Sequence, residues 1–496
     1  MQITKMLRTV YLSALLLLIF NFFSCKKNKV LTDSDAKVQF SQDSVLFDTV
    51  FTTIGSATHH FHIRNTYDKK INISSIQLAG GSGSAFKVNV DGSPGTFFED
   101  IEIAAHDSIY VFVQVNVNPG NVNSPFIIRD SLIVSLNGNQ QQVQLEAWGQ
   151  DAHYHRPTEA IKFKDGSYLP FSYLNNDTNA ISVTWVNDKP HVIYGYLAVY
   201  TGQKLTIDAG VKVYMNYRAG LWVYTGGEIH INGQKGNEVV FQGIRREKDF
   251  EKEAGQWDRI WINEGSTKNE INYAIIKNGY IGVQAELLGN QFFAPKRLKI
   301  TNTKIQNMTK WGLYGLAFNI YGANNVISNC QEQSMNLVLG GTYTFIHCTF
   351  ANFWNGEKVR EAPAVTINNH AESQILPLDS AYFGNCIIDG KLSNEISLDL
   401  SPSSTSSLSP KAIFSNCWLK TTMNTSNANQ FMYIVKGTAL KYKDAEAYNF
   451  EPDNEAQVKG FTQGYAFSDA AKFPFDINNK PRNTSSNVTV GAYESQ

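Results

Sequence analysis

The chain has 496 residues, a formal net charge of -1 and only 18% charged residues. A balance of this kind excludes recognition of nucleic acid or of an acidic lipid surface by charge. The abundance of Tyr (23) and Phe (30) suits an exported all-β protein whose aromatic side chains fill strands.

Lys5 and Arg8 precede a largely apolar run, residues 10–23, that ends at Ser24-Cys25. The run is short for a spanning helix and reads as a processed leader over residues 1–24. A Cys directly after an apolar run and a small residue resembles the lipobox of bacterial lipoproteins. The resemblance implies lipidation at Cys25 and a lipid anchor in the cell outer membrane, since Lys26-Lys27-Asn28-Lys29 offers no Asp to retain the protein at an inner membrane. Several acyl chains, at ~0.8 kcal/mol per buried CH₂, hold a protein to a bilayer practically permanently. The acidic surface-export signal of Bacteroidetes lipoproteins is missing after Cys25, so either face, periplasmic or external, fits.

Residues 25–37 are a polar tether. Over 38–150, alternating apolar and polar residues predict seven or eight short strands separated by turns such as Asp91-Gly92 and Asn137-Gly138. That count over this length predicts an immunoglobulin-like β-sandwich. The segments FDTVFTTIGS, HFHIRN, SAFKVNVDG and VQLEAWGQDA resemble the Hydin-type Ig-like domains of bacterial surface proteins.

Residues 151–190, richer in Asp, Asn and Pro, read as a connector. From 191 the apolar positions alternate as Leu197/Val199, Leu205/Ile207, Leu221/Val223 and Ile229/Ile231, with glycines at the corners. A pattern of polar residue, small residue, any residue and aliphatic or Phe then recurs at Ala274, Thr303, Cys348, Cys386 and Cys417, with Asn329-Cys330 a truncated copy. Intervals of 29 (274 to 303), 27 (303 to 330), 56 (330 to 386) and 31 (386 to 417) fit a solenoid whose coils share one core, with Cys348 falling unevenly. The fold class predicted is all-β, a right-handed parallel β-helix over 191–435 preceded by the sandwich. HVIYGYLAVYTGQKLTIDAGVKVYMNYRAGLWVYTGGEIHINGQKGNEVVFQG and GQWDRIWINEGSTKNEINYAIIKNGYIGV resemble coils of the pectin-lyase-like superfamily. That resemblance implies the fold and leaves activity open, because the fold hosts enzymes and adhesins alike. The tail, ending DINNKPRNTSSNVTVGAYES, resembles the closing segment of secreted Bacteroidetes β-helix proteins, and 436–496 is expected to cover the open last coil.

Cys330, Cys348, Cys386 and Cys417 read as free buried thiols acting as small hydrophobes. No CxxC or HxxxH spacing points to zinc. His153-Tyr154-His155 and His59-His60-x-His62 each place imidazoles on one strand face without an evident third ligand, so no metal and no cofactor are expected. Five tripeptides, at Asp43, Asp48, Asp107, Asp130 and Asp379, resemble the O-glycosylation signal of Bacteroidetes exported proteins.

Two function classes follow. If Leu197/Val199 and Leu221/Val223 point inward, then Tyr196, Tyr200, Trp222 and Tyr224 point outward, where rings on a flat sheet suit stacking on sugars. The leading expectation is a non-catalytic β-helix that binds carbohydrate or serves structural display. The alternative is a polysaccharide lyase or glycoside hydrolase. Such an enzyme needs converging carboxylates, and the best cluster is Asp389, Glu395 and Asp399 beside Arg360. Expected partners are the outer membrane and a glycan.

Overall fold

The computed structural model describes residues 29–496, apart from 53–54, 119–125, 177, 290–293, 372–373, 403–410, 439, 454–457 and 496. Cys25 and the leader lie outside the described residues. No helix among the described residues is long and apolar enough to cross a membrane. The chain is all-β and divides between Asp151 and Ala152 into two compact units.

The first unit consists of two five-stranded sheets. Among the described residues, every strand pair of this unit is antiparallel except Ser44–Phe51 beside Asn139–Gln150, which run parallel. Alternation explains the shared core: in Ser108–Val115 the residues Ile109, Val111, Val113 and Val115 are buried, while Tyr110 and Phe112 face solvent. The four buried residues meet Phe47, Phe61, Phe86, Leu132 and Leu145 in one apolar cluster.

The second unit is built on two long sheets, of eleven and eighteen strands, paired in parallel almost throughout. Strands stack in register, as in Leu197↔Leu221, Leu221↔Ile260, Ile260↔Val283 and Val283↔Leu313. This architecture is compatible with a β-helix. Inward residues from both sheets form one continuous core, from Leu174 and Trp185 to Phe414 and Phe431.

The stack begins earlier than the composition suggests. His153–His155 pairs in parallel with His191–Ile193, Tyr168–Tyr173 with Tyr196–Val199, and Ser182–Trp185 with Lys204–Asp208. The predicted connector is therefore the first turn of the stack, its polar loops set between strands too short to show a period.

The inward row of small residues is present, with one member exchanged. Ala274 N donates to Thr303 Oγ1, Thr303 N to Asn325 Oδ1, Cys348 N to Cys386 Sγ and Cys386 N to Cys417 Sγ, while Asn325 Nδ2 approaches Cys348 Sγ at 3.8 Å. The steps are 29, 22, 23, 38 and 31 residues. Asn325, not Cys330, holds the position between Thr303 and Cys348, and the long step of 38 residues falls between Cys348 and Cys386. Cys330 instead ends its strand opposite Met308 and takes no place in the row. All four thiols are buried and free, and burial pushes the Cys330 thiol up to about 12.

The residue before each small one turns the chain left-handed: φ is 51° at Asn302, 53° at Asn324, 52° at Asn385 and 56° at Asn416. Asn tolerates that conformation better than other residues with a Cβ. Its amide also has a second use here. Asn324, Asn385 and Asn416 donate to the carbonyls of Phe475, Ala466 and Gln463. These bonds tie the C-terminal segment along the flank of the eleven-stranded sheet, where Leu440, Val458 and Phe461 cover Ile387 and Trp418, and Phe450, Ile477 and Tyr493 cover Val326 and Ala351. Arg482, buried in this contact, donates to Asn324 Oδ1 at 2.9 Å and to the carbonyls of Gly491 and Ala492 at 3.1 Å. The segment thus seals a side of the stack, where the sequence suggests a cover for the last coil.

Candidate functional site

Parallel pairing lines up one outward column in the eighteen-stranded sheet: Ala198, Trp222, Trp261, Gln284, Tyr314, Asn336 and Thr366. The predicted aromatics lie at its start, and two of them are not free. Tyr196 and Trp222 are 2% and 7% exposed, packed with Phe171, Ile161, Leu169 and Tyr173 from the first turn. The Tyr196 ring lies across Gly220, where a Cβ would fall 2.6 Å from it, and its hydroxyl donates to the Asp258 carboxylate. Trp222 Nε1 donates to Asn263 Oδ1 at 2.7 Å. Tyr200 and Tyr224 are half-buried and stack on each other, 5.1 Å apart at 2°. Tyr196 and Trp222 are corrected from stacking platforms to packed side chains, because Gly220 and Ala198 leave room for large rings to lie down under a cover.

The column continues into a second half that sequence alternation alone does not single out. Trp261 stacks on Trp222 at 4.9 Å and is itself half-buried. Its Nε1 donates to Glu286 Oε1 at 2.7 Å, and Gln284 Nε2 donates to Glu286 Oε2 at 2.7 Å. Arg259 donates to Gln284 Oε1 and pairs with Asp258 at 2.8 Å. Two strands beyond, Trp311 and Tyr314 stack at 4.3 Å and 11°. Burial raises the Glu286 carboxyl, opposed by hydrogen bonds from Gln284 and Trp261 and by the charge of Arg259. The signal that finds these residues is register: Trp261 stands one strand beyond Trp222.

The residues of the enzymatic alternative do not converge on a surface. Arg360 and Glu395 form a buried bidentate ion pair at 2.5 and 2.8 Å, and Glu395 also accepts from the amides of Ala364 and Leu392. Asp389 is fully buried and accepts from Gly390 N, Leu440 N and Tyr442 Oη. Burial pushes its carboxyl up to about 6, against these bonds. Asp399 is exposed and pairs with His370 at 3.0 Å. The four are corrected from a candidate catalytic cluster to two interior fastenings and one surface pair, since the turn after Asn352 carries Arg360 inward and the C-terminal segment closes over Asp389.

A separate groove of about 830 Å³ runs beside the turn asparagines, lined by Asn307, Thr309, Asn329, Gln331, Trp354 and Tyr448 among others. Its charged members, Lys252, Lys358 and Lys391 against Glu253, Glu357 and Glu446, balance.

Among the histidines, strand pairing brings His191 and Asp188 to His153 and His155. His155 Nε2 lies 3.0 Å from His191 Nδ1, and His153 Nε2 lies 3.0 Å from Asp188. No group of three or more His, Cys, Asp or Glu side chains among the described residues is arranged to hold a metal ion. The Ser or Thr of each glycosylation-like tripeptide (Ser44, Thr49, Ser108, Ser131 and Ser380) is half-buried in a strand.

No family profile matches the chain, and no curated protein matches it in sequence. Among solved structures, it is similar to the catalytic unit of a thermostable GH87 α-1,3-glucanase from Streptomyces thermodiastaticus, at 10% identity over 76% of this chain and 90% of that one, with a TM-score of 0.25. A family 123 glycoside hydrolase from Clostridium perfringens matches at 8% identity over 23% of this chain, TM-score 0.17, and the chain spans 25% of its length. A PapD-like domain of human CEP192 matches at 14% identity over 26% of this chain and 97% of that domain, TM-score 0.18. Likenesses this weak do not establish a shared fold.

Proposed function

We propose that the protein is a lipid-anchored envelope protein of the bacterial outer membrane, in which a right-handed parallel β-helix binds carbohydrate without cleaving it, after an immunoglobulin-like domain. The observation that supports binding is the outward column from Trp261 to Thr366. Trp261 and Thr366 are half-buried there, while Gln284, Tyr314 and Asn336 are 6%, 8% and 8% exposed, so the open parts of the column offer an aromatic ring and a hydroxyl, which suit apolar stacking on a sugar face together with hydrogen bonds to hydroxyls. Lipidation at Cys25 and the outer-membrane location rest on the leader alone.

Purified protein run on a polysaccharide array, beside a Trp261→Ala variant, tests the reading. Retention by the wild type, at least tenfold weaker in the variant at unchanged fold, is expected. Absence of retention on every glycan would leave structural display as the remaining role.

A second reading, glycoside hydrolase or lyase, has one observation in its favour. Glu286, its carboxyl raised by burial, has a second carboxylate, Glu264, close enough to raise it further. A raised carboxyl beside a second one is a resource for acid–base chemistry. Release of new reducing ends or unsaturated uronate from a retained glycan, abolished in Glu286→Gln, would favour this reading over binding alone.

A further inference from the structure

We infer that the glycan taken by this face carries no anionic groups; the inference rests on the carbohydrate-binding reading above and narrows it. The centre of the face is a carboxylate. Glu286 stands between Trp261 and Gln284, both of which donate to it at 2.7 Å. A second carboxylate, Glu264, is close enough to disfavour the ionisation of Glu286. It is tied down by Leu288 N at 2.8 Å and Thr225 Oγ1 at 3.2 Å. A third, Asp258, accepts from Tyr196 and Arg259.

Three cations stand near these three anions, one of them Lys296, whose ammonium is close enough to Glu264 to feel its charge. The Arg259 guanidinium is taken up by Asp258 and Gln284. The Lys310 ammonium lies over the Trp311 ring, 4.0 Å from its centroid, at the margin of the face. The column itself carries no charge from Trp222 to Thr366.

Recognition of a uronate or sulfated sugar follows a different plan. It places an unengaged Arg or Lys where the ligand's anion lands, because planar, charge-assisted bonds supply both strength and orientation. Here an incoming anion meets Glu286, with the nearest guanidinium already engaged, and like charges at short range in a partly buried site repel. Neutral hydroxyls suit the same groups well. The lone pairs of Glu286 left by Trp261 and Gln284 accept from sugar O–H, and the Thr366 hydroxyl both donates and accepts.

Affinity electrophoresis of the purified full-length protein decides the point, in native gels containing a neutral glucan, a neutral xylan, polygalacturonate, alginate or chitosan. Retardation by at least one neutral polysaccharide is expected, at least tenfold stronger than by either polyuronate at low salt. Glu286→Gln should weaken neutral retention several-fold and narrow the gap to the polyuronates, with melting temperature unchanged. Polyuronate retention equal to or stronger than neutral retention would overturn the inference while leaving carbohydrate binding in place, whereas chitosan retention agrees with a face centred on a carboxylate. No retardation in any gel would remove the binding reading itself. If Glu286→Gln fails to fold, the wild-type comparison of neutral with polyuronate gels is decisive alone.

Discussion

The outward column of the parallel stack places two tryptophans, Trp222 and Trp261, in different surroundings, and beyond them Gln284, Tyr314 and Asn336 are again 6%, 8% and 8% exposed. At its start, Tyr196 and Trp222 lie beneath Phe171, Tyr173, Ile161 and Leu169 and are closed to solvent. One strand further, Trp261 keeps part of its ring open and turns its N–H to a carboxylate. Pairing register decides which face a side chain takes, because the strand period is two. What it meets there is decided by the neighbours: Gly220 gives the Tyr196 ring a place to lie, and the first turn supplies the lid. The outward face is thus partly a second, small core.

Charged side chains divide in the same way, and the largest expected effect tests that division. Glu395, under Arg360, belongs to the covered class, and Glu286 to the open one. Arg360→Ala leaves a fully buried carboxylate with no cation, and loss of one partner of a buried pair costs about 3–5 kcal/mol. A drop of this size in urea-unfolding free energy is expected, with glycan retention of the folded fraction unchanged. If stability holds and retention or cleavage disappears, the catalytic cluster of the alternative reading returns.

The two tryptophans sharpen the comparison within the column. Trp222→Ala empties a packed site and strands the Asn263 amide oxygen, so a loss of about 3 kcal/mol is expected. Trp261→Ala removes a half-open ring and should cost less than half as much, while weakening retention more. Equal losses of stability, read by thermal unfolding of both variants, would show that one cover extends over both rings.

Much of the architecture was legible because strand alternation is a local signal. In Ser44–Phe51, Ile71–Leu78 and Ser108–Val115 burial largely follows the alternation of apolar and polar residues. The repeat was legible only in outline. Steps from 22 to 38 residues blur any single period. Asn325 is hidden in the sequence because a ladder of small residues gives no reason to look for an amide, although its side chain reaches the backbone amide of Thr303 and the carbonyl of Ile300. The first turn, 153–185, is hidden by its polar loops. The site was the least legible part. Outwardness of Trp222 follows from the inward Leu221 and Val223, but its burial depends on Phe171 and Tyr173, contributed by a segment with no visible repeat. Asp389 and Glu395 look like surface acids because the chain that buries them comes 51 residues later for Leu440 on Asp389 and 35 earlier for Arg360 on Glu395.

The smallest effect concerns the lid itself and depends on pH. The first turn is pinned to the next by ring contacts: His155 lies against Trp185 at 5.0 Å and against His191 at 5.3 Å, and Trp185 stacks on His191 at 3.8 Å. Burial, with repulsion from His153, lowers His155 to about 4. Burial, with repulsion from His155 and His153 that Asp188 only partly offsets, lowers His191 to about 2. Both rings are therefore neutral in the folded chain, while the unfolded chain takes up their protons near the ordinary value of 6.5. For a depressed histidine the contribution to stability is complete above about pH 6.5 and is lost as pH falls toward the folded values. Between about pH 7 and pH 5, faster amide exchange is expected in strands His153–His155, Tyr168–Tyr173 and Ser182–Trp185 than in the later strands, with a melting temperature lower by a few degrees, at about 1–2 °C per kcal/mol for a unit of this size. His155→Gln keeps a hydrogen-bonding group beside His191 Nδ1 and cannot titrate, so the slope with pH should flatten. Because Phe171 and Tyr173 belong to the strand that loosens, acid should also raise the quenching of Trp222 fluorescence toward that of Trp261. If exchange in acid rises evenly along the stack, or the slope survives His155→Gln, the histidines do not hold the lid, and the difference between the two tryptophans must come from the apolar contacts of Ile161, Leu169 and Phe171 alone.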